Sequence, residues 1–308
     1  MCSMKNILVS IILFNILRLE TCLCANFNRK MIMEDAKEKY RFLITGGYRP
    51  KTDNLAKYVV SIRGKKHKWF FGDDHNCGGS IISPKVILTA AHCVCMGDSR
   101  IELRSLKPSD LLVVAGTPRR LVVTEKTQAL KVDKIISHAY YDPETNRNDI
   151  ALLLLLKNIY EDGVSAQRIS LQTNILPPYT KCILLGWGRI FTFGPIPDLI
   201  LHTDTYILPT ELCKVSYIHF GFGMMCANNE DDFEKDSCTG DSGGPLICNG
   251  SLTGIVSFGF GCGVPYRAGY YTNVTSYLDW IRENGFGKLS SVNFISLILL
   301  QIIIIEGM

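Results

Sequence analysis

Short apolar runs bounded by turn-forming residues recur along most of this chain. They are "YVVSI", "GGSIIS", "KVILTA", "DLLVVAG", "RLVVTE", "KVDKIIS", "DIALLLL", "KCILLGWG", "GPLIC", "LTGIVSFG" and "GYYTNV". Val, Ile, Leu and aromatics fill them, and Gly, Pro, Asp and Asn lie between, the pattern of strands joined by tight connections. "CNGS" at 248–251 reads as an Asn-Gly hairpin turn. One helix closes the series, "TSYLDWIREN", with Thr275 or Ser276 as N-cap and Tyr277, Leu278 and Ile281 on one face. Many short strands, one terminal helix and no alternation of strand with helix predict an all-β antiparallel barrel or sandwich.

The ends read differently from the middle. Lys5 precedes the nearly all-apolar run Ile7 to Leu17, and small residues follow at Cys22, Cys24 and Ala25. That is the pattern of a secretory signal cut close to Ala25. The run is too short to span a membrane, and Arg18 and Glu20 end it. At the other end "FISLILLQIIII" (294–305) follows a small, polar stretch. It is short for a spanning helix but long enough for the hydrophobic tail of a glycolipid-anchor signal, with attachment between Asn284 and Ser291. Gln301 and Glu306 interrupt it, so a tail that packs on the protein or is trimmed away is the competing reading.

Without its ends the chain keeps about 240 residues, a size that one larger all-β domain accommodates. The net charge of +4 is mild and scattered. The densest basic run, "RGKKHK" at 63–68, reads as a solvated loop. No stripe of aromatics and arginines accompanies it, which argues against a nucleic-acid partner. Loss of the signal removes Cys2, Cys22 and Cys24 and leaves nine of the 12 cysteines. In an exported chain these predict disulfides with one cysteine left over. Cys93 and Cys95 have no second pair at zinc-site spacing, so no metal site is expected there.

"DSCTGDSGGP" (236–245) raises the chemical question. A serine flanked by acids is ordinarily a solvated turn. As a nucleophile, Ser242 needs a base, a group that fixes the base's tautomer, and donors for the oxyanion. Among six histidines only His92, in "LTAAHC", lies in a small-residue setting at a strand end beside a cysteine. His67, His75, His138, His202 and His219 stand in polar or loop-like contexts and are expected on the surface. Asp149 opens the apolar run "DIALLLL", where a partly buried acid needs a hydrogen-bonded partner.

"LTAAHC", "DIAL" and "GDSGGP", in that order, closely resemble the chymotrypsin-like serine peptidases of the trypsin type. The resemblance extends over about residues 44 to 284 and includes "CGGSII", "GWG", "SFGFGCG" and the terminal "YLDWI". It implies two packed six-stranded antiparallel barrels with a C-terminal helix. The implied division is a signal (1–24), a propeptide (25–43), a peptidase domain (44–285) and the tail (286–308). By resemblance His92 is the general base, Asp149 orients it, and Ser242 forms the acyl-enzyme. The N–H groups of Gly240 and Ser242 form the oxyanion hole. Asp236 lies at the base of the primary specificity pocket, whose walls include Gly259 and Gly269, and Ser257 to Gly259 pair with the substrate as a strand. Cleavage after Arg or Lys follows. Phe258 and Thr239 depart from the usual Trp and Gln and bear on subsite preference.

The resemblance also pairs Cys77 with Cys93, Cys182 with Cys248, Cys213 with Cys226 and Cys238 with Cys262. Cys95 is left free or pairs with Cys24. "ITGG" (44–47) matches the family's activation site, so the amine of Ile44 is the implied partner of Asp241. Leu43 stands where Arg or Lys usually precedes that bond. Thr117, Thr124 and Thr127 occupy positions that carry acidic calcium ligands in some members, so no cofactor or metal is expected. Sequons at Asn249, on the hairpin tip, and Asn273, in an expected strand, are the candidate glycan sites, and an unmodified strand residue is the competing reading at Asn273. Implied partners are protein substrates with Arg or Lys at the cut bond, an activating protease and protein inhibitors. The competing function is a catalytically silent homologue that acts as a binding module.

Overall fold

The computed structural model describes residues 46–50, 52, 54–64, 70–97 and 99–286. The expected signal and propeptide, Ile44, His67 and the tail from residue 287 lie outside the described residues.

The first sheet contains β1 (Val59–Gly64), β2 (His75–Ser83) and β3 (Val86–Thr89). A small hairpin follows, β4 (Cys95–Met96) and β5 (Arg104–Ser105), and then β6 (Leu111–Ala115), β7 (Gln128–Ser137) and β8 (Ala151–Leu155). β1, β2, β3, β8, β7 and β6 close in that order into an antiparallel barrel, and β4 pairs only with β5. The second barrel comprises β9 (Lys181–Gly186), β10 (Leu201–Ile207), β11 (Met224–Asn228), β12 (Pro245–Cys248), β13 (Ser251–Phe258) and β14 (Gly269–Asn273). Its order is β10-β11-β14-β13-β12-β9. Helix α1 (Thr210–Ser216) lies between β10 and β11. A 3-10 turn, Val274–Tyr277, leads into α2 (Leu278–Gly285).

β3 and β8 are apolar at nearly every position because both of their faces are covered. They pair in register from Val86 opposite Leu154 to Thr89 opposite Ala151. Gly285, at the end of α2, approaches so closely that a Cβ there would stand 3.4 Å from the Leu152 side chain. Ile281 of α2 is fully buried in the same core as Ile87, Leu88 and Leu153. Truncating any one of these to Ala should cost about 2–5 kcal/mol.

Several elements differ from the sequence expectation. The cap of the terminal helical segment is Asn273, one turn earlier than expected, and its Oδ1 accepts from Thr275 N at 3.2 Å and Thr275 Oγ1 at 2.6 Å. "RLVVTE" is a series of turns. Its first residue, Arg120, gives its guanidinium to the carbonyls of Gly72, Ile196 and Pro197 at 2.6–2.9 Å. β10 is broken up by His202, Thr203, Asp204 and Thr205 and gives no apolar run, β11 is a short Met-Met-Cys-Ala run without β-branched or aromatic residues, and α1 is mostly polar. His75 and His202 are buried, not on the surface. Arg63, at the head of the basic run, is fully buried as well. His138 is half-buried with its ring 5.4 Å from Trp280, and His219 is exposed.

Four disulfides, Cys77–Cys93, Cys182–Cys248, Cys213–Cys226 and Cys238–Cys262, join the pairs that the resemblance implied. Each typically adds about 2–4 kcal/mol. Cys95 is free among the described residues.

Candidate active site

Ser242 sits on two consecutive tight turns. Asp241 N donates to Cys238 O at 2.9 Å, and Gly244 N donates to Asp241 O at 2.9 Å. The third residue of each turn is a glycine at positive φ, Gly240 at +106° and Gly243 at +74°. A side chain would be strained at both, which explains the spacing of "TGDSGG". The turn is clamped to the first barrel, because Gly78 N donates to Ser242 O at 2.8 Å.

His92 lies in the single 3-10 turn after β3, and the Cys77–Cys93 bridge ties that turn to β2. Asp149 precedes β8, and its side chain is fully buried. Its Oδ1 accepts from His92 N at 2.9 Å, and its Oδ2 pairs with His92 Nδ1 at 2.7 Å. Ser257 Oγ donates to the same Oδ2 at 2.5 Å, and Thr272 Oγ1 donates to the Asp149 carbonyl at 2.7 Å. Burial alone would raise the Asp149 carboxyl. The charge of His92 and three hydrogen bonds outweigh it and hold the carboxyl below its ordinary range. For His92, burial acts to lower the pKa, and Asp149 overrides it and raises the imidazole. With Nδ1–H given to Asp149, Nε2 is left as the basic nitrogen.

Ser242 opens into a cavity of ≈ 400 Å³, and Ser257, Phe258 and Gly259 share its lining. Ser257 therefore joins the two halves of the constellation, since it lines the Ser242 cavity and donates its hydroxyl to Asp149. Ser237 lies in the same lining. Its neighbour Asp236 is buried and accepts from Ser237 N at 2.7 Å and Gly263 N at 3.0 Å. Burial pushes the Asp236 carboxyl up to about 6. A Cβ on Gly269 would stand 3.1 Å from Asp236 Oδ1, so a side chain there would press on the carboxylate. Phe258 stacks on Tyr270 with ring centroids 4.7 Å apart. Thr239 also lines the cavity.

Asp241 turns its side chain away from this cavity into the protein and is fully buried. It accepts from Gly188 N at 2.7 Å and Cys238 N at 2.9 Å. A Cβ on Gly186 or Gly188 would collide with its carboxyl group, which explains both glycines of "GWG". Burial pushes this carboxyl up to about 6 as well.

The segment after His92 carries the β4–β5 hairpin. It walls a second cavity of ≈ 390 Å³ whose lining includes His92, Cys95, Met96, Leu103, Tyr141 and Pro143. Thr124 and Thr127 bond to each other at 3.1 Å. Asn249 is exposed at the tip of the β12–β13 hairpin with φ +51°.

Some site residues escaped the sequence reading. Phe193 and Thr192 line the Ser242 cavity, and Ser257 was expected to act through its backbone, not as a donor to Asp149. Nothing in the local sequence marks either role, because both depend on contacts between distant segments.

A family model described as Trypsin matches residues 44–281. The chain is 36% identical over 242 residues to anionic trypsin of Canis lupus familiaris, covering 78% of this chain and 88% of that protein. It is 35% identical over 241 residues to trypsin-3 of Homo sapiens, covering 78% of this chain and 72% of that one. Tissue-type plasminogen activator of Mus musculus is 34% identical over 264 residues, with 79% of this chain and 45% of that protein covered.

Proposed function

This chain belongs to the trypsin family and is a serine endopeptidase, and on that premise we propose that it is secreted, made as a zymogen, and cleaves proteins after Arg or Lys. The observation that carries the specificity is Asp236. It is a buried carboxylate beside the Ser242 cavity that accepts from two backbone N–H groups and, at 3.5 Å, from the Ser237 hydroxyl, yet is pushed up by burial. A guanidinium or ammonium entering the cavity relieves that cost and gains a charge-assisted bond.

The reaction follows from the groups described. Ser242 Oγ attacks the carbonyl carbon of the Arg or Lys residue itself as its proton passes to His92 Nε2. Asp149 stabilises the imidazolium that results. The N–H groups of Gly240 and Ser242 receive the oxyanion, a contribution on the order of 3 kcal/mol per donor. His92 then gives its proton to the leaving amine, the C–N bond breaks, and an acyl-Ser242 ester is left. A water deprotonated by His92 attacks the ester, and the proton returns to Ser242 as the acid departs.

The N-terminal signal pattern and the four disulfides support an extracellular location. The apolar tail supports a glycolipid anchor, and release from cells by a phosphatidylinositol-specific phospholipase tests it. For the enzyme itself, a fluorophosphonate should label the activated protein but not Ser242→Ala. A library of peptides differing at one position should be cut only after Arg or Lys. Labelling with indifferent cleavage would keep the nucleophile and defeat the pocket assignment.

A further inference from the structure

Behind Gly240 lies a buried polar chain that begins at Arg63. Arg63 Nε donates to Ser61 Oγ at 2.9 Å. Ser61 Oγ lies 2.8 Å from His75 Nδ1, and His75 Nε2 lies 3.0 Å from Gly240 O. Ser61 is 1% exposed, His75 7% and Arg63 0%, so water cannot substitute freely for any link. The chain runs from β1 across β2 to the turn that carries Ser242.

Its direction follows from what each atom can do. Gly240 O only accepts, so His75 Nε2 carries a proton. In the neutral ring Nδ1 is then an acceptor, and Ser61 supplies its O–H to it. The Ser61 oxygen in turn accepts from Arg63, which is always a donor. Burial, with smaller contributions from Arg120 and Arg63, pushes His75 down to about 3 and keeps it in this neutral form. The ring is also held edge-on to Trp187 at 5.5 Å.

Arg63 is itself fixed. Its Nη2 donates to Arg120 O at 2.9 Å, and its guanidinium lies 4.3 Å from the centroid of the Phe71 ring. β1 and β2 slip register here, with Ile62 opposite Cys77 and Arg63 opposite His75. That irregularity puts Arg63 and His75 opposite one another. Gly240, at φ +106°, has no side chain to fix its peptide orientation.

We propose that Arg63 is a positioning residue which, through Ser61 and His75, holds the Gly240 carbonyl and with it the turn on either side of the Gly240 Cα, so that the Gly240 N–H of the adjoining peptide faces the oxyanion. This rests on the assignment of Gly240 as an oxyanion donor. Arg63 touches neither substrate nor reacting atoms. Its effect is confined to states in which the oxyanion exists.

The test compares activated wild type with Arg63→Met, Arg63→Lys and Ser61→Ala, each normalised by active-site titration so that misfolded protein does not count. Arg63→Met and Ser61→Ala should lower kcat about tenfold with KM unchanged, a fraction of the loss typical when a donor is removed. Affinity for a peptide boronate, which forms a tetrahedral adduct, should fall by a similar factor. Affinity for benzamidine, which occupies only the Asp236 pocket, should hold. Arg63→Lys keeps a donor and should recover most of kcat. A purely structural role would lower Tm and leave the titrated kcat unchanged, which would overturn the proposal. Equal losses for boronate and benzamidine would overturn it too. Wild type that fails to label at Ser242 would instead overturn the catalytic reading on which it rests.

Discussion

Ser257 Oγ stands 2.5 Å from Asp149 Oδ2, the oxygen that also pairs with His92 Nδ1 at 2.7 Å. One carboxylate oxygen thus serves a residue of each barrel, with the other oxygen on the His92 backbone N–H at 2.9 Å. Three donors make Asp149 a rigid acceptor and leave the imidazole one orientation. The carboxylate is worth more here than in water because it is both desolvated and fully engaged.

The first prediction concerns that carboxylate. Asp149→Asn keeps the shape but turns a donor toward His92 and so favours the wrong tautomer. By analogy with other Ser-His-Asp triads, kcat should fall about 10⁴-fold. Ser257→Ala removes one of three donors and should cost far less, on the order of tenfold. Active-site-titrated kcat for the two variants checks the ranking. A loss for Ser257→Ala as large as that for Asp149→Asn would count against the shared-acceptor account.

The second prediction is a separation of two pH optima. Activity needs neutral His92, and Asp149 raises its pKa above 6.5, so kcat/KM should rise with pH through a limb centred above 6.5. Stability runs the other way. The contribution of a raised His92 is fully present below 6.5 and is lost as pH rises through the folded value. The contribution of the lowered Asp149 is present above 3.8 and is lost as pH falls through its folded value. The pair therefore contributes most to stability at mildly acidic pH, below the activity optimum. Tm and kcat/KM measured across pH 4–9, in roughly one-unit steps, test this. In Asp149→Asn the residual activity should have its limb below 6.5, since only the burial effect is left.

An all-β antiparallel barrel or sandwich was legible because most strands are short apolar runs cut by Gly, Pro and Asn, while the two six-stranded barrels and the roles of His92, Asp149 and Ser242 came from the resemblance carried by "LTAAHC", "DIAL" and "GDSGGP". β10 and β11 were not. His202, Thr203 and Thr205 of β10 are buried, and no alternation of polar with apolar residues reveals that. The buried Arg63 and His75 were invisible for a related reason. A basic or polar residue reads as exposed until the residues that satisfy it are known, and Ser61, Gly240 and the Arg120 carbonyl come from three separate segments. The partners of Arg120, the carbonyls of Gly72, Ile196 and Pro197, were hidden for the same reason.

A third prediction follows from Asp236. Asp236→Ser should lower kcat/KM on Arg and Lys substrates about 10²–10³-fold, the loss of a buried charged partner of about 3–4 kcal/mol. Ser242 should stay reactive to a fluorophosphonate. The same change should stabilise the unliganded protein above pH 6. A carboxyl raised from 3.8 to about 6 gives stability that is present below 3.8 and lost as pH rises through about 6, roughly 3 kcal/mol in all. Benzamidine affinity in wild type should accordingly fall as pH drops below about 6, where Asp236 takes up a proton. A pH-independent benzamidine affinity would remove Asp236 from the pocket floor.

A fourth prediction separates the two sequons. Asn249 is exposed on a hairpin tip, whereas Asn273 is half-buried and accepts from the hydroxyl of Thr275, the threonine of its own sequon. Asn249→Gln should remove one glycan from the intact mass. Asn273→Gln should leave the mass essentially unchanged and lower stability by about 1 kcal/mol through loss of the helix cap. Loss of a glycan from Asn273→Gln would show that modification precedes the capping bond.

The last prediction concerns activation. The Asp241 carboxylate is fully buried, holds two backbone N–H groups and is still pushed up to about 6. Such a group favours a cation beside it, and a buried ammonium–carboxylate pair is stable only with both members in place. It can therefore serve as a switch set by a new N-terminus. Ile44 opens "ITGG" and is the candidate amine, but Leu43 precedes it, and the nearest upstream basic residue is Arg41. A cut after Arg41 leaves Phe42 and Leu43 attached, two residues too many for a socket matched to Ile44. We expect activation only by a protease with an apolar preference that cuts Leu43–Ile44, and no efficient self-activation. Purified precursor treated separately with trypsin and chymotrypsin, followed by N-terminal sequencing and Arg-substrate assay, decides the matter. Activity should appear only with chains that begin at Ile44, and Asp241→Asn should stay inactive after the same cut. Full activity from a chain that begins at Phe42, or from the uncut protein, would sink the switch.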